Sequence, residues 1–172
     1  MRGEDRVAPL TELGHRAARG LTGGGELGRT VVGVGLDAVD IDRFRRVLSR
    51  RVHLAGRLFT DDELDYAGAA ADGSPRLSTR FAAKEATMKA LGVGLGAFPF
   101  RDVEVVRIGL DAPVLVLHGR AQALAQEAGV VRWHLSLTHT DQVAMALVVA
   151  VGGAMAGRAV DTGSAAVPSA RP

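Results

Sequence analysis

The chain contains no cysteine, few aromatic residues and no long apolar run. Without cysteine it has no disulfide, thiolate zinc site or thiol nucleophile, and this composition fits a cytoplasmic protein. Aromatic residues make up only 4% of the chain, so the expected core is built from Val, Leu, Ile and Ala. No apolar run approaches the roughly 20 residues of a transmembrane helix, and the first residues lack the apolar stretch of a secretory signal. We therefore expect a globular protein without a membrane partner.

Lysine is also scarce, because only two of the 21 basic residues are lysines and the others are arginines. Both lysines, Lys84 and Lys89, lie in the segment 80–92, on either side of Glu85. An ammonium is a compact charge whose pKa shifts readily, whereas a guanidinium is planar and stays protonated. The pattern indicates a site that needs the ammonium itself, with chance placement as the alternative reading.

Charge and length limit the kind of protein further. The formal net charge is +2, and residues 30–152 balance fourteen basic against fourteen acidic side chains. Binding to nucleic acid through counterion release needs a one-sided basic surface, so we expect no nucleic-acid partner.

The length fits one domain, which we place at residues 30–152. Residues 1–29 are expected to form a flexible extension, and 153–172 a disordered tail.

The first half of the domain predicts a strand followed by helices. A β-like run over 30–36 ends at Asp37, and Asp40 can cap the helix that follows. Thr60 and Glu63 have the spacing of a capping box at the start of a second helix. A third helix carries both lysines.

The third helix is expected to begin at Ser78 or Thr79 and to end at Gly92. The second half of the domain contains one short helix, at 120–128, and is otherwise mostly strands. In the strand 131–138 the alternation places four apolar residues on one face: Val131, Trp133, Leu135 and Leu137. The strand 143–151 is apolar throughout, so we expect it to be buried on both faces. This order predicts an α+β fold in which a mainly antiparallel sheet packs with helices.

Glu85 and Lys89 are four residues apart and are therefore neighbours on one helix face. Taken alone, such a pair is ordinarily a solvated ion pair worth about 0.3 kcal/mol. Asp37, at the end of the first strand, supplies a second carboxylate. Mg²⁺ binds one or two carboxylates together with water and phosphate oxygens, and a nearby lysine can neutralise a leaving phosphate. The three residues form a candidate site for magnesium-dependent phosphate chemistry.

Two other motifs find less support. Residues 33–38 match the G-x-G-x-x-A fingerprint of dinucleotide folds, but Asp37 would place a carboxylate in the phosphate turn and no clear βαβ unit follows. His134 and Ser136 lie two apart on a strand, without a nucleophile elbow or an evident third acid. A serine hydrolase is therefore not favoured, and a histidine on a sheet face is more often structural.

Four segments, in this order, resemble the holo-acyl-carrier-protein synthase family of 4′-phosphopantetheinyl transferases. They are Gly33-Val-Gly-Leu-Asp37-Ala-Val-Asp40-Ile-Asp-Arg43-Phe, Leu58-Phe-Thr60-Asp-Asp-Glu63-Leu, Arg80-Phe-Ala-Ala-Lys84-Glu85-Ala-Thr-Met-Lys89-Ala-Leu-Gly92-Val-Gly94-Leu and His134-Leu-Ser136-Leu-Thr138-His139. The resemblance covers residues 31–152 and implies the 4′-phosphopantetheinyl transferase fold. It also implies transfer of the phosphopantetheine arm of coenzyme A to a serine of an acyl carrier protein, with Mg²⁺ at the phosphates and release of 3′,5′-ADP. The carrier would serve fatty-acid, polyketide or peptide synthesis.

The resemblance implies a role for each matched residue. Asp37 and Glu85 would bind the Mg²⁺ and Lys89 would stabilise the leaving phosphate, which makes these three the catalytic set. The residues implied to contact coenzyme A are Arg80, Lys84, Gly92, Gly94, His134, Ser136 and Thr138. The acidic carrier protein would dock on the helix after Asp40, through Arg43, Arg46 and Arg50. Family members of this size form homotrimers with active sites between subunits, and we expect a homotrimer here.

Two alternatives to the transferase remain. A homologue with altered chemistry would bind carrier protein or coenzyme A without transfer. A small assembly domain would only dock an acidic partner on its arginine-rich helix. Binding of coenzyme A with Mg²⁺ separates the assembly domain from the other two, and a gain of mass on the carrier identifies the transferase.

Overall fold

The structure is a computed structural model that describes residues 30–51, 53–107, 109 and 112–153 of the 172-residue chain. The predicted extension at 1–29 lies outside the described residues, as does the predicted tail beyond residue 153. The elements in chain order are β1 (Val31–Asp40), α1 (Ile41–Arg50), α2 (Leu54–Leu58), α3 (Asp61–Gly68), α4 (Ser74–Ala90), a 3₁₀ turn (Phe100–Asp102), β2 (Val103–Val106), β3 (Val114–Leu117), α5 (Gly119–Glu127), β4 (Val130–His139) and β5 (Val143–Gly152). In this part of the chain no helix combines the length and apolar character that crossing a membrane requires.

The strands form two antiparallel sheets. One has three strands in the order β1-β5-β4, with β5 in the centre, and the other pairs β2 with β3. Helix α4 packs on one side of the three-stranded sheet, which we call the inner face. The opposite side is the outer face. The predicted α+β class with a mainly antiparallel sheet is confirmed.

Two glycines of β1 explain how closely α4 approaches the sheet. A Cβ atom on Gly33 would lie 1.9 Å from the backbone oxygen of Ala90, and one on Gly35 would lie 1.8 Å from that of Ala86. Only a residue without a side chain fits at either position. The glycines that resemble a dinucleotide fingerprint therefore bring a strand against a helix.

The core lies between α4 and the inner face and is built mainly from alanine and valine, as expected from composition. Phenylalanine contributes more than its low abundance suggests. Phe44 stacks on Phe81 with ring centroids 4.8 Å apart, and Phe81 stacks on Phe100 at 5.3 Å. These rings join α1 and the 3₁₀ turn to α4, the helix that carries the candidate catalytic residues.

The predicted helix starts are right for α1 and α3 and wrong for α4. Asp40 caps α1, and Thr60 with Glu63 forms the capping box of α3. Helix α4 begins at Ser74, one turn earlier than predicted, because Pro75 is tolerated in a first turn, where its missing N–H would have no partner. Ser78 and Thr79 are instead buried within the helix. The short helix α2 was not expected.

The predicted end of α4 at Gly92 is confirmed. The N–H of Gly92 donates to the carbonyl of Lys89, and the N–H of Val93 donates to the carbonyl of Met88, each over 3.0 Å. Gly92 has a φ of +68°, the left-handed conformation that such a helix end requires. Gly92 therefore sets the direction in which the chain leaves α4.

Strand β4 differs from the prediction in which of its first residues faces the core, and strand β5 differs in how many of its faces are buried. An irregularity between Val130 and Arg132 turns Val131 outward, where it is 64% exposed, while Val130 packs on the core. Strand β5 is buried on its inner face only, and Leu147 on the outer face remains 40% exposed. Burial of β5 on both faces is thus not achieved by a single chain.

Candidate active site

Strand β1 presents Asp37 to helix α4. Residues Gly35, Asp37 and Val39 face inward and are buried, and their neighbours along the strand are exposed. Asp37 Oδ1 accepts a hydrogen bond from Lys89 Nζ over 2.8 Å. Its Oδ2 is buried and has no hydrogen-bond partner among the described residues. Because buried polar atoms are almost always paired, this oxygen indicates a site for a further group.

Glu85 lies beside Asp37. Burial raises the pKa of Glu85 to about 6, and the negative charge of Asp37 acts in the same direction. The ammonium of Lys89 partly opposes this effect on the pKa. The two carboxyl groups therefore converge, as the sequence predicts.

The carboxylate pair fits a hard divalent cation. No cluster of three or more His, Cys, Asp or Glu side chains occurs in the described part of the chain, so a cation held by protein ligands alone is not supported there. Mg²⁺ needs only one or two carboxylates, because water and phosphate oxygens complete its coordination. The unpaired oxygen of Asp37 and the repulsion between Asp37 and Glu85 would both be relieved by a cation.

Lys89 stands at the entrance to this site. Its ammonium donates hydrogen bonds to Asp37 Oδ1 and, over 2.9 Å, to the backbone oxygen of Leu36. The side chain is 54% exposed, and an ammonium has three donors. One N–H of Lys89 is therefore left for a substrate oxygen.

An apolar cavity of about 580 Å³ extends from Glu85 toward α1. Its lining includes Val47, Phe81 and Leu95, and Arg43 lies among the residues around it. The charged site formed by Asp37, Glu85 and Lys89 thus borders directly on an apolar surface. That surface suits the apolar side chains of a macromolecular partner.

The arginines of α1 divide into two groups. Arg43, Arg46 and Arg50 are exposed at spacings of three and four, which places them on one side of the helix, and none forms an ion pair with another described residue. Arg45 is engaged within the chain, because it donates to Asp42 and Asp72 at 2.7 Å and to Ser74 at 3.0 Å. The three predicted carrier-binding arginines remain available to a partner.

A second cavity, of about 650 Å³, is cationic. It is lined by the guanidinium-bearing residues Arg76, Arg80 and Arg107, by Tyr66, and by the end of β4. No acidic side chain occurs among the described residues that line it. Of the residues predicted to contact coenzyme A, Arg80 and Thr138 are here, and the surroundings suit a phosphate-bearing ligand.

A family model described as the 4′-phosphopantetheinyl transferase superfamily matches residues 33–148. The chain belongs to this superfamily. A holo-[acyl-carrier-protein] synthase of Frankia alni is 48% identical over 120 residues, which span 70% of this chain and 97% of that protein. A synthase of the same name from Caldanaerobacter subterraneus is 36% identical over 120 residues, or 70% of this chain and 94% of that protein.

Solved structures of the superfamily agree with the fold. The holo-[acyl-carrier-protein] synthase of Neisseria meningitidis gives a TM-score of 0.65 at 32% identity and covers 70% of this chain and 98% of its own. The Helicobacter pylori synthase, solved in complex with coenzyme A, gives 0.60 at 27% identity and covers 68% of this chain and 98% of its own. The predicted fold family is confirmed.

The structure corrects the prediction that Lys84 contacts coenzyme A. Its side chain is fully buried, and the ammonium lies 2.8 Å from Glu63 Oε2. It also donates to the backbone oxygens of Phe100 and Val103. Since these three contacts use all three donors of the ammonium, Lys84 has none left for a phosphate of coenzyme A. It supports the fold instead.

The remaining predicted coenzyme A contacts are scattered in a single chain. His134 and Ser136 project from the outer face of β4, whereas Asp37 and Glu85 lie on the inner side of the sheet. Gly92 and Gly94 form the turn after α4 and line neither of the two cavities. A role for these four residues in ligand binding remains a prediction.

Sequence reasoning assigned only two of the lining residues of the cationic cavity to ligand binding, and it missed all of its other aromatic or basic members: Tyr66, Arg76, Arg107 and His139. The sequence did contain an indication for Arg76, because it lies four residues before Arg80 and therefore on the same face of α4. Tyr66 and Arg107 come from α3 and from the end of β2, and no local pattern brings those elements together.

Proposed function

We propose that the protein is a magnesium-dependent holo-[acyl-carrier-protein] synthase. It transfers the 4′-phosphopantetheine group of coenzyme A to a serine of an acidic acyl carrier protein and releases 3′,5′-ADP. The observation that carries this proposal is the convergence of Asp37 and Glu85, with the half-exposed ammonium of Lys89 bound to Asp37. The names of the relatives and of the solved structures support the same reaction.

The chain contributes charge and position to the reaction. A divalent cation bound by Asp37 and Glu85 would neutralise the pyrophosphate of coenzyme A. The free N–H of Lys89 would donate to the oxygen that leaves with 3′,5′-ADP, and stabilising charge where it develops is the largest catalytic effect in many enzymes. Phosphoryl transfer mainly requires that the reacting groups are oriented and that their negative charge is neutralised. The cation with its two carboxylates, together with Lys89, would meet both requirements.

The nucleophile comes from the substrate. The carrier serine oxygen forms a bond to the β-phosphorus while the bond from that phosphorus to the bridging oxygen breaks. The electron pair leaves with 3′,5′-ADP, and the serine proton ends in solvent. No nucleophilic side chain of the chain is needed, which agrees with a site made of two acids and an ammonium.

Two surfaces next to the carboxylate pair suit the carrier protein. The exposed arginines of α1 would attract an acidic helix, because complementary charge steers an encounter. The apolar cavity beside Glu85 would accept side chains from the same helix. A phosphate of coenzyme A would lie in the cationic cavity around Arg80.

A homotrimer would bring these parts together in one site. Asp37 and Leu137 are level across the sheet, each opposite Ala146 of β5, so they lie about 10 Å apart with α4 packed on the face between them. In one chain, α4 therefore separates the carboxylate pair from the cationic cavity that Leu137 lines. The exposed apolar residues of the outer face, which include Val34 (57% exposed) and Leu36 (53%), would pack on another copy. That contact would bring His134 and Ser136 to a shared site.

A transfer assay tests the proposal. Incubation with apo-carrier protein, coenzyme A and Mg²⁺ is expected to add the mass of phosphopantetheine to the carrier. Glu85→Gln should lower turnover by about 100-fold, the cost of losing one preorganised charge contact, without lowering the melting temperature. Binding of coenzyme A without a gain of mass, across fatty-acid, polyketide and peptide carriers, would favour the homologue with altered chemistry.

A second measurement follows the cation without relying on turnover. Mg²⁺ at 100 times its dissociation constant should stabilise the wild type by about 2.7 kcal/mol. The same concentration should stabilise Glu85→Gln and Asp37→Asn clearly less, because each variant keeps only one carboxylate and binds the cation more weakly. Equal stabilisation of all three proteins would refute the proposed cation site.

A further inference from the structure

Tyr66 lies at the centre of the three arginines of the cationic cavity. The guanidinium carbon of Arg80 is 4.1 Å from the centroid of the tyrosine ring, and that of Arg76 is 4.6 Å from it. Arg107 donates to the phenol oxygen over 3.3 Å, and Arg76 donates to the backbone oxygen of Tyr66 over 2.7 Å. One residue of α3 thus contacts three cations from two other elements.

Arg80 is the buried member of this group. Its side chain is only 4% exposed, and its Nε has no hydrogen-bond partner among the described residues. One terminal nitrogen donates to the backbone oxygen of Arg76 over 3.2 Å. Burial lowers the pKa of Arg80, although an arginine stays protonated at neutral pH. A buried cation with an unused donor beside an open cavity points to an anionic ligand.

Without the ring, three guanidiniums in one cavity would repel one another. The negative face of an aromatic ring attracts cations, and this attraction grows where water is excluded. Tyr66 therefore offsets the repulsion and keeps the guanidiniums of Arg76 and Arg80 directed at the cavity when no anion is bound. A preorganised cluster binds its ligand more tightly, because less side-chain freedom is lost on binding.

We propose that Tyr66 is a positioning residue for coenzyme A, whose ring holds Arg76 and Arg80 in the orientation that binds a phosphate of the substrate. This inference rests on the proposed function for the identity of the ligand. The geometry of the cluster itself is independent of the reaction. Tyr66 touches the arginines, and the arginines touch the phosphate.

Two variants separate the ring from its hydroxyl group. Tyr66→Phe keeps the ring and should raise the KM for coenzyme A clearly less than Tyr66→Leu, which should raise it about tenfold, in the range expected for two partly buried cation–π contacts. In both variants kcat and the KM for the carrier protein should stay within about twofold, because Tyr66 lies outside the reacting site. An unchanged KM for coenzyme A in Tyr66→Leu, or an equal defect in both variants, would overturn the role of the ring.

Coenzyme A without its 3′-phosphate identifies which phosphate is held. If Tyr66→Leu weakens only the complete coenzyme, the arginines hold the 3′-phosphate. If it weakens both substrates equally, they hold the pyrophosphate, and the role of Tyr66 stands in either case.

The wild type offers a test that needs no turnover and no variant. Tyr66 is the only tyrosine of the chain, so the ultraviolet absorbance of phenolate reports this cavity alone. The hydrogen bond from Arg107 and the three nearby positive charges lower the pKa of Tyr66, opposed by burial. An anion among the guanidiniums must therefore move the titration midpoint of the phenol upward.

The probe for this titration is 3′,5′-ADP. An upward shift of the phenol midpoint would support the inference even if Tyr66→Leu failed to fold, and an unchanged midpoint at saturating probe would overturn it. Absence of carrier modification by the wild type would instead refute the proposed function, since the phenol titration does not depend on transfer. The two failures are thus distinguishable.

Discussion

The ammonium of Lys84 lies 2.8 Å from the carboxylate of Glu63, and both side chains are buried. Glu63 also accepts hydrogen bonds from the backbone N–H of Thr60 and of Val105, at 3.1 and 3.0 Å. This ion pair therefore joins α3, β2 and α4 inside the protein. The second lysine of the chain, Lys89, is on the same helix but half exposed.

The two lysines should consequently respond to the same substitution in opposite ways. Lys84→Met leaves the carboxylate of Glu63 buried without its cation, which typically costs about 3–5 kcal/mol of unfolding free energy. Lys89→Met removes a half-exposed ammonium from the buried carboxylate of Asp37, so it should lower turnover strongly and cost less unfolding free energy than Lys84→Met, in which both partners are fully buried. Urea denaturation and the transfer assay measure the two effects.

The paired variant Glu63→Leu/Lys84→Met provides the control for this prediction. Replacing both charges by apolar groups leaves neither of them unpaired, so it should recover part of the stability that Lys84→Met loses. A fully stable Lys84→Met protein with weakened coenzyme A binding would show instead that Lys84 contacts the substrate.

The pKa of Glu85, raised to about 6 from an ordinary 4.5, gives a prediction for the protein without metal. The folded state binds more protons than the unfolded chain between those two values. The stabilisation of the folded state that Glu85 contributes is therefore fully present below pH 4.5 and is lost as the pH rises through about 6. Carbon-13 NMR of labelled glutamate should detect a midpoint near 6 for Glu85.

Asp37→Asn is the matched variant for this titration. It removes a neighbouring negative charge while burial of Glu85 persists, so the midpoint of Glu85 should fall only part of the way toward its ordinary value. The decline in stability with pH should become smaller in parallel. An unchanged midpoint in Asp37→Asn would show that the two carboxyl groups do not interact.

Local patterns in the sequence predicted the elements that form the carboxylate pair. Asp37 follows the alternation of β1, and Glu85 and Lys89 share a helix face because of their spacing. The capping box of Thr60 and Glu63 is equally local, since hydroxyl and carboxylate need only be three residues apart. For such features the short-range pattern already defines the geometry.

Features that depend on packing between distant segments could not be predicted. Lys84 and Lys89 appear equivalent in the sequence, and only the carbonyl groups of Phe100 and Val103 make the first a core residue. The sequence likewise gave no reason to connect Tyr66 with Arg107, because their contact joins α3 to the end of β2. The missed residues of the cavity come from this second class.

The exposed arginines of α1 predict a salt-sensitive interaction with the carrier. Arg43→Ala should raise the KM for the carrier by up to about fivefold at low ionic strength, the range of exposed charge contacts. The effect should shrink as salt rises, because charges are screened over roughly 8–10 Å at 0.1–0.15 M. Arg120→Ala, on α5, is the control, since Arg120 pairs with Glu127 at 3.3 Å and lies outside the proposed docking surface. A defect that does not change with salt would contradict charge steering.

The outer face of the sheet supplies the last prediction. Val34 of β1 is 57% exposed, next to Leu36 and opposite Val149 of β5. If this face packs against another copy, Val34→Glu buries an unpaired carboxylate in the contact, which is strongly unfavourable. Size-exclusion chromatography with light scattering should then report a monomer for the variant and a trimer for the wild type.

Val114→Glu is the matched control, because Val114 is also on a strand and is 49% exposed, but belongs to the separate β2-β3 sheet. It should leave the assembly and the transfer rate unchanged. The Val34→Glu monomer should lose transfer while its phenol titration still responds to 3′,5′-ADP, because the cationic cavity lies within one chain whereas the proposed complete site would need two. A wild type that is monomeric and fully active would contradict the shared site. In that case a single chain would contain the whole active site, with both the cationic cavity and the carboxylates.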